Sequence, residues 1–141
     1  MVDKEKLAKY IRDLELYLNQ IAELQKSDKQ EFLRNWKVYD LAERKLHLVL
    51  ETYLSIGEMV ISEFGFRKPE KYSDIPRILC DNQIIPKDLS EKLIELAKFR
   101  NVLVHEYLYL DHERVYEHLQ KDSFTVHEFL NCIKEFVREK E

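Results

Sequence analysis

Residues 32–64 read FLRNWKVYDLAERKLHLVLETYLSIGEMVISEF, and the spacing of their large side chains decides the fold. Apolar residues recur at every third or fourth position, which places them on one face of a helix. The members of this face are Phe32, Trp36, Tyr39, Leu46, Leu50, Tyr53, Val60 and Phe64. Gly57 lies in the same register. The spacing therefore predicts one unusually long helix, which Gly65 and Pro69 end.

One position on this face is occupied by Glu43, which lies between Tyr39 and Leu46. A carboxylate at a core position costs free energy unless a partner satisfies it. Two interpretations remain open. Glu43 is either a partly exposed side chain that has shifted away from the core, or a supporting residue of a functional site.

The same spacing and the usual capping residues predict helices on both sides of this segment. A long helix is expected over residues 4–25, and a short helix over residues 72–80. Asp88, followed by Glu91, resembles a capping box that opens the fourth main helix.

Two further helices are predicted near the C-terminus. Asp111 is expected to cap a short helix that runs through Leu119. Thr125 and Glu128 are expected to start a last helix after it. The predicted buried stripe of that last helix consists of Val126, Leu130, Ile133 and Val137.

Short connections between long amphipathic helices favour antiparallel neighbours. The predicted fold is therefore all-α, an up-and-down antiparallel bundle of four main helices with one or two short helices. With 141 residues, the chain is expected to form a single domain over residues 1–141. Its two glycines leave no room for the glycine-rich loops that cradle phosphates in Rossmann and P-loop proteins.

Charge and cysteine content limit the possible partners. The net charge is −4, so any contact with nucleic acid must be local. Cys80 and Cys132 have no metal-ligand spacing, and we expect them to be buried thiols in a reducing compartment. No run of apolar residues is long enough to cross a membrane. These features predict a cytoplasmic protein with no cofactor, no metal and no membrane contact.

The fourth main helix carries two polar residues on apolar faces. Arg100 interrupts a stripe of Leu89, Leu93, Leu96, Leu103 and Tyr107, and Asn101 interrupts the neighbouring one, formed by Ile94, Ala97, Val104 and Leu108. Burying such groups costs several kcal/mol unless partners satisfy them, so the pattern indicates a polar cleft or an interface.

His105 follows Arg100 by five residues, which corresponds to about 140° around an ideal helix. One regular helix therefore does not easily direct both side chains at the same atom. Either the helix is distorted between them, or two copies of the chain complete one site.

The segment Phe99 to Tyr107, FRNVLVHEY, resembles the signature of HepT proteins in the higher eukaryote and prokaryote nucleotide-binding (HEPN) superfamily. The resemblance extends to Ala42-Glu43-Arg44, Glu51 and Ile84-Ile85-Pro86, and to Leu110-Asp111 with Val115-Tyr116. It covers residues 5 to 137.

This resemblance implies an HEPN-like fold and a metal-independent RNA endonuclease, the toxin of a HepT/MntA-type toxin–antitoxin system. It further implies a homodimer in which Arg100 and His105 of both subunits line one cleft. The implied antitoxin is a minimal nucleotidyltransferase that adenylylates Tyr107. Transfer RNA and messenger RNA remain open as substrates.

The residue chemistry is compatible with RNA cleavage, independently of the resemblance. A histidine can move the 2′-hydroxyl proton or protonate the leaving oxygen, and an arginine can stabilise the phosphorane. Asn101, one turn before His105, could orient the histidine or the phosphate. AMP on Tyr107 would add bulk and negative charge beside the cleft.

Several bland interpretations remain beside these. His105 could be a structural histidine, and Tyr109 could be the modified tyrosine instead of Tyr107. The pairs Arg44-Lys45 and Arg67-Lys68 could contact phosphates, although short basic pairs are usually solvated. The alternative function is a non-catalytic dimeric module, a nucleotide-binding or regulatory partner of a minimal nucleotidyltransferase.

Overall fold

The computed structural model describes residues 4–141, except for the side chain of Tyr107. The helices are α1 (Lys4–Leu24), α2 (Lys29–Arg34), α3 (Trp36–Glu63), α4 (Asp74–Asp81), α5 (Lys87–His105) and α6 (His112–Glu139), and a 3₁₀ turn covers Tyr107–Tyr109. The described part of the chain contains no strand. The predicted all-α fold, with four long helices and short additional ones, is confirmed.

The central helix of the bundle is α3, which contacts each of the other five α-helices. Its buried side chains include Leu46, Leu50 and Tyr53, all without exposed surface. The Tyr53 hydroxyl donates a hydrogen bond to the Leu93 carbonyl of α5 (2.8 Å), and its ring meets Phe129 of α6 edge to face. A wholly buried phenol thus finds both an acceptor and apolar neighbours, which fixes α5 and α6 against α3.

The prediction of one helix from Phe32 to Phe64 is wrong, because the chain breaks at Asn35. There the backbone is extended (φ −110°, ψ 97°), and the side chain accepts a hydrogen bond from the Lys37 amide (3.1 Å). Asn35 therefore caps α3 and separates it from α2. One consequence is that Trp36, predicted on the buried face, is 59% exposed.

Two predicted helix boundaries are also wrong. The C-terminal segment forms one continuous helix, α6, and does not stop after Leu119. Asp111 caps it as predicted, accepting from the Glu113 amide (3.0 Å). At the other boundary, Pro86 occupies the N-cap of α5 and Asp88 lies inside the first turn, so no capping box forms.

The segment between α3 and α4 is ordered by Asp74. One carboxylate oxygen of Asp74 accepts hydrogen bonds from the amides of Glu70 (3.0 Å) and Lys71 (3.2 Å). The hydrogen bond from Glu70 is the main reason why the pKa of this carboxyl lies below its ordinary value. Gly65 starts the segment with positive φ, as its role in ending α3 requires. These contacts shape one wall of the cavity described below.

Two smaller observations complete the comparison. Cys80 and Cys132 are free but only partly buried, whereas full burial was predicted. Burial still raises the pKa of the Cys132 thiol. No helix within residues 4–141 is long and apolar enough to span a membrane.

Candidate functional site

Arg100 lies on α5 with its side chain only 11% exposed. Its Nε and Nη2 atoms both lie 2.5 Å from the same oxygen, Oε1 of Glu51 on α3. A nearly buried guanidinium needs a counter-ion, because the cost of removing it from water exceeds several kcal/mol when it is unpaired. Glu51 is the residue that makes the position of Arg100 affordable, and it joins α3 to α5 at this point.

Glu51 is shared with a histidine of its own helix. His47 lies one turn earlier on α3, and its Nε2 atom is 3.1 Å from the same Glu51 oxygen. Both side chains are about one third exposed. The result is a chain of polar groups, His47, Glu51 and Arg100, that runs from the bundle surface toward α5. Sequence reasoning did not connect these three residues.

Two further groups surround the guanidinium. Its central carbon lies 4.5 Å from the centroid of the Tyr72 ring, within cation–π distance. Its Nη1 atom donates to the side-chain oxygen of Asn101 (3.1 Å). The two predicted site residues Arg100 and Asn101 therefore contact each other. Because its oxygen is engaged by Arg100, Asn101 orients the arginine in this state of the protein.

A cavity of about 600 Å³ opens beside this group. Asn101 and Tyr72 form part of its wall, so the cavity reaches the immediate surroundings of Arg100. The remaining lining comes from the C-terminal half of α3 and from the segment before α4, namely Glu58, Ile61, Ser62, Phe66, Lys68, Pro69, Glu70, Lys71 and Ile75. It combines aromatic rings, two ammonium groups and two carboxylates.

His105 is the last residue of α5, and its side chain is exposed. Helix α5 runs without interruption from Lys87 to His105, so no distortion brings the histidine round to the face of Arg100. Among the described side chains, none forms a hydrogen bond or ion pair with His105. A single chain thus holds Arg100 in place and leaves His105 pointing to a different side.

The residues after His105 are strongly exposed. Leu108 is 74% exposed and Tyr109 is 88% exposed. The predicted modification site, the Tyr107 side chain, lies outside the described part of the structure, so its surroundings are left aside. Two large exposed side chains directly after the motif form an apolar surface that a monomer would not be expected to retain.

Glu43 is bound to a histidine of α6. Nδ1 of His112 lies 2.8 Å from Oε1 of Glu43, and the His112 ring stacks on Tyr39 (centroids 3.9 Å apart). Burial raises the pKa of the Glu43 carboxyl, and the hydrogen bond with His112 opposes that effect. Glu43 therefore has a polar partner that the sequence did not reveal, and this partner ties α3 to the start of α6.

A second histidine–carboxylate pair lies on α6. Nδ1 of His118 is 2.9 Å from Oδ2 of Asp122, and the His118 ring stacks on Phe99, the residue before Arg100. Burial raises the pKa of Asp122. This pair packs behind the motif helix. Within residues 4–141, no three histidine, cysteine or carboxylate side chains are grouped so that they could hold a metal ion.

Comparison with known proteins gives a consistent result. The family model for HepT-like ribonucleases matches residues 7–133. YutE of Bacillus subtilis (strain 168), a protein whose name marks it as a candidate RNase, is 29% identical over 91 residues. The aligned part is 64% of this chain and 63% of YutE, so it covers less than two thirds of that relative.

Solved structures share the fold over nearly the whole chain. The structure of YutE, described as a cytosolic protein of unknown function, has a TM-score of 0.85 and 26% identity, and the match covers 99% of this chain and 93% of YutE. A tri-AMPylated HEPN toxin of Shewanella oneidensis, in complex with its MNT antitoxin, has a TM-score of 0.83 and 21% identity, with 92% and 96% of the two chains covered. The extent of the family match shows that this chain belongs to the HepT-like ribonuclease family.

Proposed function

We propose that this protein is an RNA endonuclease that needs no metal, and that it is the toxin of a HepT/MntA-type toxin–antitoxin pair. The observation that carries the proposal is the nearly buried Arg100, aimed by Glu51 and Tyr72 beside an open cavity, on the helix that ends in the exposed His105. Such a guanidinium is prepared for an anion that has two or more oxygens, as a phosphodiester has.

The reaction would be an in-line displacement within the RNA. The 2′-oxygen forms a bond to phosphorus and loses its proton to a base, while the bond from phosphorus to the 5′-oxygen breaks and that oxygen gains a proton from an acid. Arg100 stabilises the negative charge of the phosphorane. His105 supplies the proton transfers, since a histidine changes charge near neutral pH.

A homodimer would supply both proton transfers at once. One histidine cannot be base and acid in the same step, whereas a neutral His105 from one subunit and a protonated His105 from the other can. The regular geometry of α5 supports this arrangement, because it directs Arg100 and His105 to different sides of one chain. The exposed Leu108 and Tyr109 provide apolar surface for the contact between subunits.

The proposed antitoxin is a minimal nucleotidyltransferase that transfers AMP from ATP to the hydroxyl of Tyr107 and releases pyrophosphate. Support comes from the solved AMPylated HEPN toxin bound to an MNT antitoxin, which has the same fold. Tyr109 is the alternative acceptor, because its side chain is accessible. Either modification would place negative charge next to the motif and repel an RNA phosphate.

A second candidate is the non-catalytic nucleotide-binding partner of such an enzyme. The cavity of about 600 Å³ beside Arg100 favours it, since a pocket of this size can hold a nucleotide without any cleavage. The acidic net charge of −4 also gives no general attraction for a long RNA.

The test is cleavage of total RNA by the purified protein in the presence of EDTA, with mass spectrometry showing that Tyr107 carries no AMP. We expect cleavage by the unmodified protein and a loss of at least a hundredfold in the His105→Ala variant. His127→Ala is the matched control, since His127 is exposed on α6 and should leave the rate unchanged. Absence of cleavage by all three proteins would favour the binding module.

A further inference from the structure

The cavity next to Arg100 has a composition that suits a nucleobase. Tyr72 and Phe66 supply aromatic surface, and Ile61 and Ile75 supply aliphatic surface. Base–aromatic stacking is the usual source of affinity in sites for single-stranded nucleic acid, and it does not depend on the identity of the base. A pocket of about 600 Å³ is large enough for one nucleotide.

The charged groups of the cavity fit the other parts of a nucleotide. Lys68 and Lys71 come from the segment between α3 and α4, and both side chains are exposed, so their ammonium groups can reach phosphates. Glu58 and Glu70 offer carboxylates, which accept hydrogen bonds from the amino groups of adenine, cytosine or guanine. Lys68 belongs to the basic pair Arg67-Lys68, for which a phosphate role was left open.

The position of the cavity gives the base a defined relation to the reacting phosphate. Tyr72 is part of the cavity wall, and the same ring lies 4.5 Å from the Arg100 guanidinium. Asn101 also belongs both to the wall and to the hydrogen-bond partners of Arg100. A base held against Tyr72 would therefore carry its phosphate directly toward the arginine.

We propose that this cavity binds one unstacked base of single-stranded RNA, next to the phosphate that Arg100 contacts. The inference rests on the proposed ribonuclease function and adds a substrate class to it. A base inside a duplex is stacked and paired and cannot enter a pocket, so the substrate must present a loop or a free end.

The experiment measures binding separately from cleavage. The His105→Ala protein, unmodified at Tyr107, is titrated into a short fluorescein-labelled single-stranded oligoadenylate at fixed salt, and anisotropy gives the Kd. The same is done with an RNA of equal length in which the bases are absent and the phosphates remain. We expect the abasic RNA to bind about tenfold more weakly, because stacking is lost and the charge is unchanged.

Two variants address the cavity itself. Ser62 lines it without touching Arg100, so Ser62→Trp should fill it and weaken oligoadenylate binding about tenfold while leaving the abasic RNA unaffected. Asn19→Trp, an exposed position on α1, adds the same bulk elsewhere and should change neither Kd. Tyr72→Phe should bind like the parent and Tyr72→Leu about tenfold more weakly.

Equal binding of both RNAs, or equal weakening of both by Ser62→Trp, would overturn the proposal. Its failure can be told apart from failure of the ribonuclease function. Base-dependent binding by a protein that never cleaves RNA would leave the pocket and remove the enzyme. Cleavage by the wild-type protein without base-dependent binding would do the reverse.

Discussion

The guanidinium of Arg100 is nearly buried, and the carboxylate beside it belongs to Glu51. Glu51→Gln keeps the size of the side chain but removes the negative charge, leaving a positive charge without its counter-ion in a site that is 11% exposed. We expect the free energy of unfolding to fall by about 2 kcal/mol, less than for a fully buried pair because Glu51 is one third exposed. Urea denaturation followed by circular dichroism measures the change.

The matched control for this substitution is Glu95→Gln on α5. Glu95 also pairs with a cation, Lys98, but both side chains are more than half exposed. An exposed pair of this kind contributes about 0.5 kcal/mol or less, so the control should stay close to the wild-type stability. Equal effects of the two substitutions would mean that Glu51 does not hold Arg100 as the structure suggests.

The sequence indicated that Arg100 and Asn101 needed polar partners, because both interrupt apolar faces. It could not indicate which partners, since Glu51 lies 49 residues from Arg100 along the chain. The same holds for Glu43, whose histidine partner His112 is 69 residues away. Contacts of this separation depend on how helices pack, and helical periodicity within one segment carries no information about them.

Gly57 controls how closely α4 approaches α3. A Cβ atom built at this position collides with Cγ2 of Ile75, the second residue of α4. Helix propensity alone would make Gly57→Ala favourable by up to about 1 kcal/mol. We expect the opposite sign, a loss of about 1 to 3 kcal/mol, because overpacking forces the two helices apart. Thermal and urea unfolding of the variant would measure it.

A second substitution shows whether the collision is the cause. Ile75→Leu moves the branch of the side chain away from Cβ, so the atom that meets the new methyl group disappears. The double variant Gly57→Ala/Ile75→Leu should recover part of the loss, relative to the sum of the two single effects. Simple additivity would indicate that Gly57 matters for a reason other than the approach of α4.

Helix boundaries were predicted less well than helix faces, and the reason is visible at two places. Asn35 carried a capping signal inside a regular apolar pattern, and the pattern concealed the break. In α6 the opposite occurred, because Thr125 and Glu128 resembled a capping box inside a continuous helix. Nothing between residues 119 and 125 stops the helix, since Val115, Leu119 and Val126 remain buried on one side.

The assembled protein differs from a single chain in what its motif can do. Within one subunit, Arg100 is fixed against α3 while His105 is exposed at the end of α5, about 140° further around the helix. The sequence left open whether the helix was distorted or two copies met. The uninterrupted α5 removes the first possibility and supports the proposed composite site, which in a two-fold dimer would occur as two equivalent pairs.

Mixing two inactive variants tests this composite site directly. In a mixed dimer of Arg100→Ala and His105→Ala subunits, the intact arginine of one subunit can act with the intact histidine of the other. Random exchange makes about half of the dimers mixed, and each keeps one of two complete pairs, so we expect about a quarter of the wild-type cleavage rate. Native mass spectrometry confirms that mixed dimers have formed. If they form and the mixture stays as inactive as its parents, Arg100 and His105 must act within one subunit, and α5 would then have to bend when RNA binds.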